Sequence, residues 1–64
     1  MKSLYQKVHE AYGNALQNSF NLDLLKPEAI AADMQDCDGE LENESYEHIV
    51  ECVKKIQNMR KLNG

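Results

Sequence analysis

The chain has no tryptophan, one phenylalanine, one proline and only two cysteines. Small secreted domains usually carry more cysteines than this, so Cys37 and Cys52 are expected to be reduced thiols rather than a disulfide. The sequence also lacks a charged-then-apolar leader and any long apolar run. These absences predict a cytoplasmic protein that does not enter a membrane.

The chain is also short. With 64 residues the chain can form one domain, which we predict to span residues 1–64. A domain of this size buries only about 60% of the surface that its unfolded chain exposes. We therefore expect a thin core and a stability of a few kcal/mol. Homodimerisation would add to that stability and stays an open alternative.

Positive charge is scarce as well. Eleven acidic residues outnumber seven Lys and Arg, which gives a formal net charge of −4. Binding to nucleic acid requires Lys and Arg to neutralise phosphates, and so does binding to an anionic membrane. The composition therefore argues against direct binding to DNA, RNA or membranes.

Apolar residues recur at steps of three and four near the N-terminus, which predicts a helix from Ser3 to Ser19. Ser3 is a suitable N-cap because its hydroxyl can accept a backbone hydrogen bond. The predicted stripe consists of Leu4, Val8, Ala11, Tyr12, Ala15, Leu16 and Phe20. A leucine-rich connector, residues 21–26, follows this helix.

Pro27 is suited to the first position of a second helix, predicted over Pro27 to Asp36, because the N–H that it lacks would be unpaired there. Cys37 to Asn43 is expected to be a loop, with Asn43 as the N-cap of a third helix. The second stripe is Ile30, Ala31 and Met34; the third is Tyr46, Ile49, Val50, Val53, Ile56 and Met59. No strand pattern occurs. The fold predicted is all-α, a small three-helix bundle in which two longer helices flank a short one.

Between Glu28 and Glu51 the chain has nine acidic residues and no Lys or Arg; we call residues 28–51 the acidic stretch. Part of it has an ordinary explanation, because helix N-termini favour negative charge and Glu51 can pair with Lys55. Asp33 and Asp36 fall instead at the C-terminal end of the second helix, where the dipole disfavours them. A solvated surface is one interpretation of these charges.

The alternative is that a basic surface on another protein offsets this repulsion. The residues predicted to bind such a partner are Asp33, Asp36, Asp38, Glu40, Glu42, Glu44 and Glu47, with Tyr5 as an exposed anchor. Small acidic proteins of phages and other mobile elements often inhibit basic, nucleic-acid-binding proteins in this way, some by imitating the charge of DNA. That comparison depends on size and charge alone.

The sequence offers three alternatives to the binding of a basic protein. A structural subunit would dimerise through Leu22, Leu24 and Leu25. A twelve-residue calcium loop would run from Asp33 to Glu44 or start one residue later, at Met34, but neither register completes the ligand pattern.

The third is a site built from His9, Cys37, His48 and Cys52, which could hold zinc or, as a Cys–His pair, act as a nucleophile. These residues lack the close spacing of a zinc site, and so small a chain has little room for a substrate pocket. We therefore predict no enzyme activity, no metal and no cofactor.

Overall fold

The structure is a computed structural model that describes residues 1–18 and 22–63, with side chains as far as residue 61. Within these ranges the chain forms three α-helices and no strand: α1 (Leu4–Leu16), α2 (Pro27–Cys37) and α3 (Tyr46–Asn63). A single 3-10 turn, Leu22–Leu24, precedes α2. The predicted all-α bundle of three helices is confirmed.

Ser3 begins α1 with a capping box. The N–H of Gln6 donates to Ser3 Oγ (3.2 Å), and the N–H of Ser3 donates to Gln6 Oε1 (3.0 Å), so two otherwise unpaired N–H groups are satisfied. The helix ends at Leu16, earlier than predicted, and Gln17 and Asn18 form a turn. The predicted end at Ser19 and the apolar Phe20 lie outside the described residues.

The beginning of α2 follows the chemistry of proline. Lys26 is extended (φ −69°, ψ 140°), as a residue before proline prefers, and Pro27 occupies the first helical position. The helix continues one residue beyond the predicted end, to Cys37. Ile30, Ala31 and Met34 are buried as predicted.

Asn43 is not the N-cap of α3, and this part of the prediction is wrong. Instead α3 begins at Tyr46, and the carbonyl of Ser45 accepts a hydrogen bond from the N–H of Ile49 (3.0 Å). Asn43 lies in a second turn, closed by the N–H of Glu44 on the carbonyl of Leu41 (3.1 Å). The chain makes this turn because Leu41 is buried in the core, and the helix therefore begins two residues later than predicted.

The core forms where α3 packs against both α1 and α2. Its buried apolar residues are Val8, Ala11, Tyr12, Leu22, Ile30, Ala31, Met34, Leu41, Ile49, Val50, Val53 and Ile56. Two predicted core positions are corrected: Tyr46 is 40% exposed and Met59 is 54% exposed. They lie near opposite ends of α3, beyond the region where the other two helices cover it fully. No described helix has the length and apolar composition needed to cross a membrane.

Candidate functional site

The connection between α2 and α3, residues 38–45, is here called the acidic turn. Its first half is organised by Asp38, whose Oδ1 accepts the N–H of Glu40 (2.9 Å) while its carbonyl accepts the N–H of Leu41 (3.0 Å). A short acidic side chain that bonds the backbone two residues ahead is a common way of stabilising a turn. Asp38 therefore has a local structural role that the sequence analysis did not identify.

Two further contacts hold the acidic turn against the helices. The Leu41 side chain is fully buried in the core, and Gln35 Nε2 donates to the carbonyl of Glu44 (2.7 Å). The turn is thus fixed at its centre by an apolar side chain and near its end by a hydrogen bond from α2. The carboxylates that it carries project from an ordered backbone.

The fold brings positive charge from α1 to this region. Lys7 Nζ lies 3.1 Å from Glu44 Oε2, and Lys2 Nζ lies 2.7 Å from Glu10 Oε2. The pKa of Lys2 is raised, mainly by its hydrogen bond to Glu10, with smaller electrostatic contributions that include Glu40. The bases missing from the acidic stretch are therefore supplied partly by a helix that is distant in sequence.

The predicted partner-binding acids fall into two groups. Glu44 is partly buried and paired with Lys7, and Asp38 is partly buried and bonded to the turn. The other five are exposed and make no ion pair within 4.0 Å with any described side chain; we call them the unpaired acids. They are Asp33, Asp36, Glu40, Glu42 and Glu47. The expected pair of Glu51 with Lys55 is also absent among these side chains.

The tyrosines are arranged differently from the prediction. Tyr5, expected to be an exposed anchor, is only partly exposed, packs against the core and donates its hydroxyl to Met59 Sδ (3.4 Å). Tyr46 is the more exposed ring, and its hydroxyl donates to the carbonyl of Glu28 (3.1 Å). The tyrosine on the surface beside an unpaired acid is therefore Tyr46, the neighbour of Glu47.

The arrangement does not resemble a calcium loop. Residues 33–37, the first five of the twelve weighed for that role, belong to α2, and Glu44 is paired with Lys7. In the described part of the chain no three His, Cys, Asp or Glu side chains converge as metal ligands. Cys37 is exposed and Cys52 partly buried, and burial raises the pKa of the Cys52 thiol.

A polar cluster that the sequence analysis missed joins the connector to α1 and α3. Asp23 accepts two hydrogen bonds from Arg60, at Nε (2.7 Å) and Nη2 (3.0 Å), and a third from the hydroxyl of Tyr12. The Arg60 guanidinium also lies 5.7 Å from the centre of the Tyr12 ring, within range of a cation–π interaction. Gln57 Nε2 donates to the carbonyls of Leu22 and Leu25. No periodic pattern could have revealed these contacts.

The same cluster shifts two pKa values. The hydrogen bonds from Arg60, and secondarily that from Tyr12, hold the pKa of Asp23 below its ordinary value. Burial, and then the hydrogen bond to Asp23, raises the pKa of Tyr12 to about 12. Both shifts stabilise the forms present at neutral pH: ionised Asp23 and neutral Tyr12.

Asp23→Asn is expected to lower the thermal midpoint at pH 7 and to flatten its fall in acid. A carboxyl whose pKa is lowered by folding stabilises the protein above its unfolded pKa, and that contribution is lost as the pH falls through the folded pKa. The effect is moderated by solvent because both members of the pair are more than a third exposed. Circular dichroism melts from pH 7 to pH 2 would measure it.

Asp36→Asn is the matched control for this change, because Asp36 is exposed and has no described ion pair. It should leave the midpoint at pH 7 almost unchanged or slightly higher. Equal losses for the two variants would contradict a specific role for Asp23.

A groove of about 540 Å³ lies between α1 and α2, beside the acidic turn. It forms because both helices pack mainly on α3 rather than on each other. Its described apolar lining includes Ala11 and Ala15 of α1 and Ile30 and Met34 of α2. Its described lining includes two carboxylates, Asp33 and Asp38, and no Lys or Arg.

In comparisons with protein-family models, curated proteins and solved structures, the chain has no significant match.

Proposed function

We propose that this protein is a binding module rather than an enzyme, and that its unpaired acids bind a basic surface of another protein. The observation that supports this most directly is the distribution of charge. Lys7 of α1 and Lys2, which precedes that helix, approach the acidic region, yet five acids between Asp33 and Glu47 remain exposed and without a described ion pair.

Order in the acidic turn supports the proposal further. Because Leu41 and Gln35 hold the turn, its carboxylates have less backbone freedom to lose when a partner binds. Groups that are positioned in advance cost less entropy on association. Complementary charge then accelerates encounter and selects partners with basic surfaces.

Binding of this kind would modulate the partner by competing with the nucleic acid that the partner binds. A basic surface that binds DNA or RNA does so through Lys and Arg. A protein that covers those side chains with its own carboxylates excludes the nucleic acid. We therefore propose inhibition of a nucleic-acid-binding protein, by a surface that imitates the charge of the DNA backbone.

A charge-matched pair of variants tests the proposal. Glu40→Gln/Glu42→Gln removes two of the unpaired acids. Glu28→Gln/Glu51→Gln removes two other exposed acids that have no described ion pair, so both variants raise the net charge of −4 by two. Proteins captured from a lysate of the source organism would be eluted with a salt gradient, and the affinity of each captured partner would be measured.

The first variant is expected to bind the partner roughly tenfold more weakly, because two charge contacts of up to about 1 kcal/mol each are lost together. The second should bind almost as well as the wild type. Affinity should also fall steeply with added salt. A partner held equally by both variants, or insensitive to salt, would refute the proposal.

The second candidate is a homodimeric assembly subunit, and one observation favours it: Leu24 is 84% exposed and Leu25 is 44% exposed. Leu22, the third leucine assigned to such an interface, is instead in the core. The exposed surface of two leucines is small compared with the roughly 800 Å² that each partner buries in a standard interface. Sedimentation equilibrium at several concentrations separates the candidates, since a tight dimer supports assembly and a monomer favours the acidic binding module.

A further inference from the structure

We propose that the groove between α1 and α2 receives an apolar side chain from a basic segment of the partner, whose neighbouring Lys or Arg meets Asp33 and Asp38. This inference rests on the proposed function and makes it more specific. It identifies the partner's binding element as an amphipathic segment, with one apolar anchor and adjacent positive charge, rather than a uniformly basic surface.

The described apolar lining of the groove combines Ala15 and Leu25, which keep exposed surface, with Ala11, Ile30 and Met34, which are buried in the core. A volume of about 540 Å³ exceeds what one leucine or phenylalanine side chain needs, and pockets of this size are typical of ligand sites.

Asp33 and Asp38 add two carboxylates to the lining of the groove, and neither forms an ion pair within 4.0 Å with a described side chain. Cys37, the last residue of α2, also belongs to the lining, and the dipole of a helix favours cations at its C-terminus. Two carboxylates and a helix C-terminus thus favour positive charge beside an apolar cleft, which is the complement of a basic amphipathic segment.

Three synthetic peptides would serve as probes. The first is a short helical peptide with leucines on one face and lysines on the other. In the second every leucine is replaced by alanine, which keeps charge and helix propensity. In the third every lysine is replaced by glutamate. Each would be titrated into the ¹⁵N-labelled full chain, and amide shifts would give both the affinity and the site.

The leucine–lysine peptide is expected to bind about tenfold or more tightly than the alanine–lysine peptide, because only leucine buries substantial apolar area. The largest shifts should fall at Ala11, Ala15 and Met34. Ala15→Phe fills the groove and should abolish the difference between these two peptides. Asp33→Asn should weaken binding of the leucine–lysine peptide more than Glu28→Gln, which removes an exposed charge from the same helix outside the groove.

Equal affinity for the first two peptides, with shifts confined to the acidic turn, would overturn the groove proposal and leave the charge-based function standing. Equal affinity for the leucine–lysine and leucine–glutamate peptides would overturn it as well, since binding in the groove would then not depend on the charge of the peptide. Failure of the proposed function is recognised separately, when the two charge-matched double variants bind a captured partner equally well.

Discussion

Leu41→Ala is expected to lower the free energy of unfolding by about 2–5 kcal/mol, the range found when a buried leucine is truncated and a cavity remains. A chain of this length has a total stability of roughly 3–10 kcal/mol, so the variant should lose a large share of it. The loss is large for a loop residue because Leu41 is as inaccessible as the central residues of the helices. Urea denaturation followed by circular dichroism would measure it.

Leu24→Ala is the matched control, since it removes the same atoms from a side chain that is 84% exposed. It should change the stability by less than about 0.5 kcal/mol. Similar midpoints for the two variants would mean that Leu41 does not anchor the acidic turn in the core. A Leu24→Ala protein that is less stable than the wild type at high concentration only would point instead to loss of self-association.

Tyr12→Ala is expected to lower the free energy of unfolding by about 3–5 kcal/mol, because it removes a fully buried aromatic ring between α1 and α3. Its loss also leaves Asp23 without one of its three hydrogen bonds and removes the ring beneath Arg60. Thermal and urea unfolding would both detect the change.

Tyr12→Phe separates the ring from its hydroxyl. It keeps the apolar contacts and removes only the hydrogen bond to Asp23, so a loss of about 0.5–1.5 kcal/mol is expected. If Tyr12→Phe were as damaging as Tyr12→Ala, the hydrogen bond would dominate and the packing account would be wrong. If neither variant were destabilised, the polar cluster would have no role in holding the connector.

The helices were predictable because each one has a strong local signal. Ser3 and Pro27 occupy positions where hydrogen-bond chemistry prefers them, and the spacing of Val8, Ile30 and Val53 places each on a buried face. These signals depend on residues within a turn or two of one another. The three-helix architecture follows once each stripe has to be buried against another.

The errors occur where the decisive contact joins residues that are distant in sequence. Leu41 sits among acids with no periodic pattern around it, and only the assembled core shows that it is buried. Asn43 is a good cap locally, but the burial of Leu41 prolongs the turn past it. The exposure of Tyr46 likewise depends on how far α2 packs along α3.

The candidate site was predictable only in part for the same reason. A run of acids can be read directly, whereas the partners of its members cannot. Lys7 lies 37 residues before Glu44, and their contact exists only because α1 packs against α3. Sequence therefore indicated where negative charge is concentrated, and the structure distinguishes the carboxylates already engaged from those still available.

Because Lys7 forms an ion pair with Glu44, the packing of α1 and the charge of the acidic turn are thermodynamically linked. A basic partner that takes Glu44 releases Lys7 and removes one of the contacts that hold α1 in place. By reciprocity, whatever detaches α1 withdraws a competing cation and strengthens the attraction of the turn for such a partner. Under the proposed function, Lys7 of the N-terminal helix would compete with a basic partner for Glu44.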